Sequence, residues 1–165
     1  MHSLIDKYFI LQQKLDARIT ELSNLHESYM VCKKGCSSCC MNFGMLPIEY
    51  YAIQHALGVY AFPQVSHDDS CKFLKNGMCS IYAHRPFICR TQGLPIIHYN
   101  SHINAWNLLV CELNFVDVDD NFFQQHRCLD MDVFNEKLSE LNSVFILEHP
   151  ELCIDASKLI DVNEL

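Results

Sequence analysis

Leu4, Tyr8, Leu11, Leu15, Ile19, Leu22, Leu25 and Tyr29 recur at steps of three and four residues. That period lines one face of an α-helix and predicts a single amphipathic helix over residues 4–29. Ser3 followed by Asp6 loosely fits a capping box at its start. The apolar run is too short for a sustained heptad seam, so the stripe is read as lying on the chain's own core rather than as a dimerising coiled coil. The period returns late in the chain. Met131, Phe134, Leu138, Leu141 and Phe145 predict a helix over residues 130–147, ended by Pro150. Between the two, Pro47 stands as the first residue of a shorter helix, with Glu49 in its first turn as a partner of the helix dipole and Gly58 as its stop.

The middle of the chain changes character. Residues 62–70 read as a polar connection. Residues 71–82 then read as a hairpin around Asn76-Gly77. A two-residue turn pairs Leu74 with Cys79 and puts Cys71 on the opposite face from Cys79. A three-residue turn, with Gly77 left-handed in a bulge, pairs Phe73 with Cys79 and brings both thiols to one face. A shared site for Cys71 and Cys79 therefore predicts the bulged turn. Arg85-Pro86 sets a bend, Gly93-Leu94-Pro95 a turn, and residues 96–99 a short strand. The fold class expected is α+β: a small, mainly helical single domain over residues 1–165, with a β-hairpin and a cysteine-lined metal centre. Its cysteine core spans about 32–115, between the helices at 4–29 and 130–147.

Composition narrows the function. At 165 residues a domain buries about 70% of its unfolded surface, so the chain has a core of its own and needs no staples to fold. A net charge of −8 repels phosphate backbones and anionic lipid, which argues against nucleic-acid and membrane partners. Asp6, Lys7, Gln12, Gln13 and Lys14 interrupt any signal-peptide core, and no apolar run is long enough to span a bilayer. The expected location is cytoplasmic. In a reducing cytosol, ten cysteines point to metal ligands or redox groups rather than a disulfide framework.

Four of those thiols fall at Cys32, Cys36, Cys39 and Cys40, and four more at Cys71, Cys79, Cys89 and Cys111. Cys32, Cys36 and Cys39 or Cys40 have helical spacing, so one helical turn could aim three thiols one way; Gly35 argues for a break instead. Cys36-x2-Cys39 has the spacing of a metal knuckle. Adjacent side chains point apart in regular structure, so Cys39 and Cys40 either serve two metals or lie in an irregular loop. A guanidinium lowers a neighbouring thiol's pKa and offsets the charge of clustered thiolates, which makes Arg85 and Arg90 candidate partners. Cys128 and Cys153 lie outside any cluster spacing and are left out of the site. His98 and His102 lack the glutamate of a metalloprotease motif and read as surface residues. The acidic run from Asp117 fails as a calcium loop, with Phe122 at the glycine position and Cys128 at the glutamate position.

Cys36-x2-Cys39-Cys40, Cys71-Lys72-Phe73-Leu74, Gly77-Met78-Cys79-Ser80-Ile81-Tyr82, Arg85-Pro86, Cys89-Arg90 and Cys111-Glu112-Leu113-Asn114-Phe115 resemble the bacterial CxxCxxCC family, also called YkgJ-type. The likeness covers roughly residues 32–115, with the first spacing x3 rather than x2. It implies a zinc- or iron-chelating domain in which eight cysteines, here Cys32, Cys36, Cys39, Cys40, Cys71, Cys79, Cys89 and Cys111, bind metal. Some members of that family carry names such as Fe-S oxidoreductase or flagellin lysine N-methylase.

Three functions follow. The first is a metal-binding protein holding zinc or iron, since eight thiols suffice for two four-thiolate zinc sites. The second is an enzyme with an iron–sulfur cluster, redox-active or N-methylase-like, although ferredoxin spacings are absent. The third is a thiol-based sensor or interaction adaptor using the first helix. The partner expected is a metal ion; the sequence names no protein partner.

Overall fold

The structure, a computed structural model, describes residues 2–32, 35–59, 71–153, 155 and 159–161. The expected polar connection at 62–70 lies outside the described residues.

Helix α1 runs His2–Leu25 and is followed by a 3-10 turn, Glu27–Tyr29. The helix thus begins before Ser3, which lies inside it and does not cap it. Leu4, Ile5, Tyr8, Leu11, Leu15 and Leu22 are buried, and Ile19 packs against them. Each such side chain contributes about 1.5–3 kcal/mol on burial, against about 0.2–1 kcal/mol for a surface ion pair such as Arg18–Glu21. The apolar stripe, lying on the chain's own core, holds α1 in place. Leu25, the last residue of α1, and Tyr29, in the 3-10 turn beyond it, are the last members of the predicted stripe and are exposed.

Strand β1 (Gly44–Met45) precedes α2 (Pro47–Leu57), which has proline in its first turn and ends on Gly58 in the left-handed conformation. Helix α2 is buried on two sides. Ile48 and Ala52 join α1 and the late helix in the main core, while Ile53 joins Met45, Cys71, Phe73 and Ile81 in a second, smaller one. Strands β2 (Leu74–Lys75) and β3 (Met78–Cys79) form the expected hairpin, and α3 is a single turn, Phe87–Arg90, entered through Pro86.

Strand β4 (Ile96–Asn100) pairs antiparallel with β5 (Ala105–Leu109) and parallel with β6 (Leu129–Asp130). Helix α4 (Asp132–Glu148) buries Leu138, Asn142 and Phe145, and a 3-10 turn at Pro150–Leu152 follows it. Strand β7 (Ile160–Asp161) then returns to pair antiparallel with β1. The α+β class and the terminal helices match expectation. The β6 and β7 pairings are additions, each made of two residues with no periodic signal of its own.

Glu49 does more than complement a dipole. It is buried, Oε2 accepts from the Leu46 N–H at 3.1 Å, and Oε1 accepts from the Phe87 N–H at 2.9 Å. One carboxylate therefore closes the start of α2 and ties it to the start of α3, the turn that carries Cys89. Burial raises its pKa, and the two N–H bonds oppose that shift. Glu49→Ala leaves both N–H groups without an acceptor and is expected to cost about 1–3 kcal/mol for each. Urea unfolding reads the loss. Leu147→Ala, at a position 80% exposed on α4, serves as a control expected to stay within about 0.5 kcal/mol of the parent.

Candidate metal centre

The predicted ligands are delivered by loops and short elements rather than by one helix. Cys32 follows the 3-10 turn after α1, and Cys36, Cys39 and Cys40 lie in an irregular segment before β1. The break suggested by Gly35 is present, at φ +98°. Cys40 closes a turn through its N–H to the Ser37 carbonyl at 2.9 Å. Its own carbonyl accepts from the Cys71 N–H at 3.2 Å, which pins the hairpin to the cysteine loop. Cys79 is on β3, Cys89 on α3, and Cys111 just beyond β5.

The hairpin corrects one expectation. Leu74 pairs with Cys79 and Lys75 with Met78, and Asn76 and Gly77 both have positive φ, at 52° and 73°. This is the two-residue type I′ geometry, which suits the twist of the flanking strands; the bulged turn is not adopted. Cys71 and Cys79 are nonetheless electrostatic neighbours. Parity does not govern Cys71 because it is outside the ladder. Its carbonyl accepts from the Leu74 N–H at 2.8 Å, so the chain curls at residues 71–74 before β2 begins.

Cys40, Cys71 and Cys79 gather on the smaller core, where Cys71 is buried with Phe73 and Ile81, and the other two pack against them. The Cys89 thiol feels the charges of Cys71, Cys79 and Cys40. Cys32 feels Cys111, Cys36 and Cys39 instead. An aromatic cluster brings the segments of Cys32 and Cys111 together. Phe115 packs on His26 and Tyr29, with Phe122 against both, and the Phe115 N–H donates to the Tyr29 carbonyl at 2.9 Å. Residues 111–115 are thereby held beside residues 29–32.

Asn114 completes this junction. Its Nδ2 donates to Cys32 Sγ at 3.2 Å and to the Gly93 carbonyl at 2.7 Å, while its Oδ1 accepts from the Val31 N–H at 2.9 Å. Its N–H donates to the Cys111 carbonyl at 3.0 Å. Gly93 has φ +95°, and a Cβ there would stand 2.8 Å from Cys32 Sγ. The sequence reading took Gly93 as a plain turn and Asn114 only as part of a motif. A close backbone approach to a thiol is a common use of glycine and was the available signal.

Burial is the largest influence on most of the thiols. It raises the pKa of Cys32, Cys39, Cys40 and Cys71. Cys89 is pushed up to about 12, by burial first and then by the Cys71 charge. Cys36 goes the other way, lowered by its hydrogen bond with the Ser38 hydroxyl. The two arginines separate. Arg85 lowers the pKa of Cys40 and Cys89 while its guanidinium lies 3.7 Å from the centre of the Tyr82 ring. Arg90 turns away, donating to both oxygens of Asp16 at 2.9 and 2.8 Å and to the carbonyls of Arg85 and Ala83. It braces α3 against α1. Even for Arg85 the expected depression of Cys89 fails, because desolvation outweighs one partly exposed cation.

Among the described residues no three or more His, Cys, Asp or Glu side chains converge as a cation site. The thiols are neighbours without forming a closed cage. Their chemistry fits the metals implied: thiolates are soft donors that suit zinc and iron, and binding must first strip protons that burial holds in place. Cys128 is buried, and its shift comes from burial alone; Cys153 is exposed. His98 lies on β4 with its Nε2 3.0 Å from Asn107 Nδ2, and His102 is in the turn beyond it. The acidic run is a capped turn, with Asp119 Oδ1 accepting from the Asn121 N–H at 2.8 Å.

Two outcomes are expected. Gly93→Ala places a side chain at a positive φ, at a strain of about 1–3 kcal/mol, and drives it into Cys32 Sγ. It should lower stability and speed the reaction of Cys32 with a thiol reagent. The second concerns reduced, metal-free protein, in which the folded Cys89 thiol holds its proton more tightly than the unfolded one. That stability is complete below about pH 8.5, the pKa of an unfolded thiol. It is lost as pH rises toward about 12. The urea midpoint should fall across that range, and less steeply in Cys89→Ala.

No curated protein and no solved structure matches the chain. A family match does exist, over residues 31–112, to the family CxxCxxCC, described as a putative zinc- or iron-chelating domain. That interval opens one residue before Cys32 and closes one residue after Cys111, so it takes in the eight neighbouring thiols and leaves out Cys128 and Cys153. Over residues 31–112 the chain belongs to the CxxCxxCC family.

Proposed function

We propose that this chain is a metal-binding protein in which Cys32, Cys36, Cys39, Cys40, Cys71, Cys79, Cys89 and Cys111 chelate zinc or iron as thiolates. One observation carries the reading. Each of the eight has at least one other thiol as an electrostatic neighbour, whereas the shift at buried Cys128 has no thiol contribution. Bound metal would supply a covalent-strength cross-link among loops that have little secondary structure of their own. The chain's own residues supply the rest. Arg85 and Lys72 stand near the thiols as positive charge, Asn114 donates to Cys32, and the Glu49 carboxylate holds the turn bearing Cys89. Thiolates kept free for metal imply a reducing compartment, so we place the protein in the cytoplasm. Among the described residues no helix is long and apolar enough to cross a membrane.

The deciding measurement is metal and acid-labile sulfide content on protein purified without air, with a visible spectrum alongside. Stoichiometric zinc or iron is expected. Colourless zinc protein supports a chelating site closed by thiolates. Brown protein with iron and sulfide moves the reading to an iron–sulfur centre with redox or N-methylase-like chemistry. Folded protein that never takes up metal sinks the proposal.

Metal removal gives a second check. A structural zinc site is worth about 10–16 kcal/mol, comparable with the whole net stability of a domain, about 5–15 kcal/mol. Chelation under reducing conditions should open residues 31–112 to proteolysis while the helical circular dichroism of α1 and α4 largely persists.

A further inference from the structure

We infer that the eight thiols form two separate four-cysteine sites: an inner one of Cys40, Cys71, Cys79 and Cys89, and an outer one of Cys32, Cys36, Cys39 and Cys111, with the outer one the more readily exchanged. This rests on the chelating reading above and deepens it.

The division is spatial. The inner set is built on the smaller core. Cys71 is buried there beside Phe73 and Ile81, Cys40 and Cys79 pack on that core, and a backbone bond joins Cys71 to Cys40. Helix α3, tied to α2 through Glu49, brings Cys89 to the same three thiols. In the outer set, the segments of Cys32 and Cys111 are held together by the aromatic cluster at the end of α1. There Asn114 bonds both Cys32 Sγ and the Cys111 carbonyl, and Cys36 and Cys39 are the other thiols that Cys32 feels.

The split falls between Cys39 and Cys40. The two thiols neighbour each other; beyond that pair, Cys40 neighbours Cys71 and Cys79, and Cys39 neighbours Cys36 and Cys32. Four thiolates close a tetrahedral zinc ion, and four cysteines likewise hold an iron–sulfur cluster. Two sets of four therefore leave no ligand over.

The sets differ in their surroundings. Cys32 and Cys39 of the outer set are exposed, and Cys36 and Cys111 half-buried; Cys71 of the inner set is buried and the other three half-buried. Arg85 and Lys72 act on inner thiols. They offset part of the negative charge that four thiolates leave on a divalent ion, where the outer set has the neutral amide of Asn114. A chelator reaches the outer metal first.

The test loads the reduced full chain with cadmium-113 and records its NMR spectrum. Two resonances of equal area in the all-thiolate region are expected, and a competing chelator should remove one equivalent before the other. Cys111→Ser should shift or abolish only the resonance that is lost first, and Cys79→Ser only the one retained. The wild-type spectrum and release order stand even where a variant fails to fold. A single resonance, simultaneous release, or one substitution disturbing both signals overturns the partition while leaving chelation intact. Protein that binds no cadmium overturns the chelating reading itself, and the partition with it.

Discussion

Helix α2 cannot be separated from the cysteine region, because one buried carboxylate serves both. Glu49 takes the Leu46 N–H at the start of its own helix and the Phe87 N–H at the start of α3. Those are donors that helices leave unpaired at their first turn, and burying them without an acceptor is costly. Satisfying both with one side chain sets the spacing between α2 and the turn that bears Cys89. The apolar residues of α2 then extend this link in two directions, Ile48 and Ala52 into the main core and Ile53 into the smaller one beside Cys71.

The cysteine region is consequently a set of loops hung from an apolar frame. Its thiols are placed by contacts that are not themselves thiol chemistry: the Cys40–Cys71 backbone bond, the aromatic packing of Phe115 on Tyr29, and the amide of Asn114. Burial in that frame works against ionisation, and most of the thiols are held protonated more firmly than in water. A metal ion reverses the balance, because its charge favours the thiolate far more than a neighbouring cation does. Arg85 is near enough to assist, but only as a minor influence.

Local features of the fold were legible in the residues. The stripe of α1, proline and Glu49 at the start of α2, Gly58 at its end, and Asn76-Gly77 at the turn each depend on neighbours a few positions away. The same local logic misled at Cys71 and Arg90. Alternation along a strand assigned Cys71 a face it never takes up, because the ladder stops at Leu74. Adjacency to Cys89 suggested a thiolate partner, whereas Arg90 is engaged by Asp16 on α1.

The sequence by itself determined the helices, the position of the hairpin, the α+β class and the family of the cysteine region, since periodicity, turn chemistry and motif spacing are written within short stretches. Only the tertiary structure decided which thiols are neighbours, which arginine reaches them, and how Gly93 and Asn114 meet Cys32. Those outcomes depend on contacts between segments tens of residues apart, made by packing against cores and by pairing of two-residue strands. Such contacts leave no periodic trace in either partner.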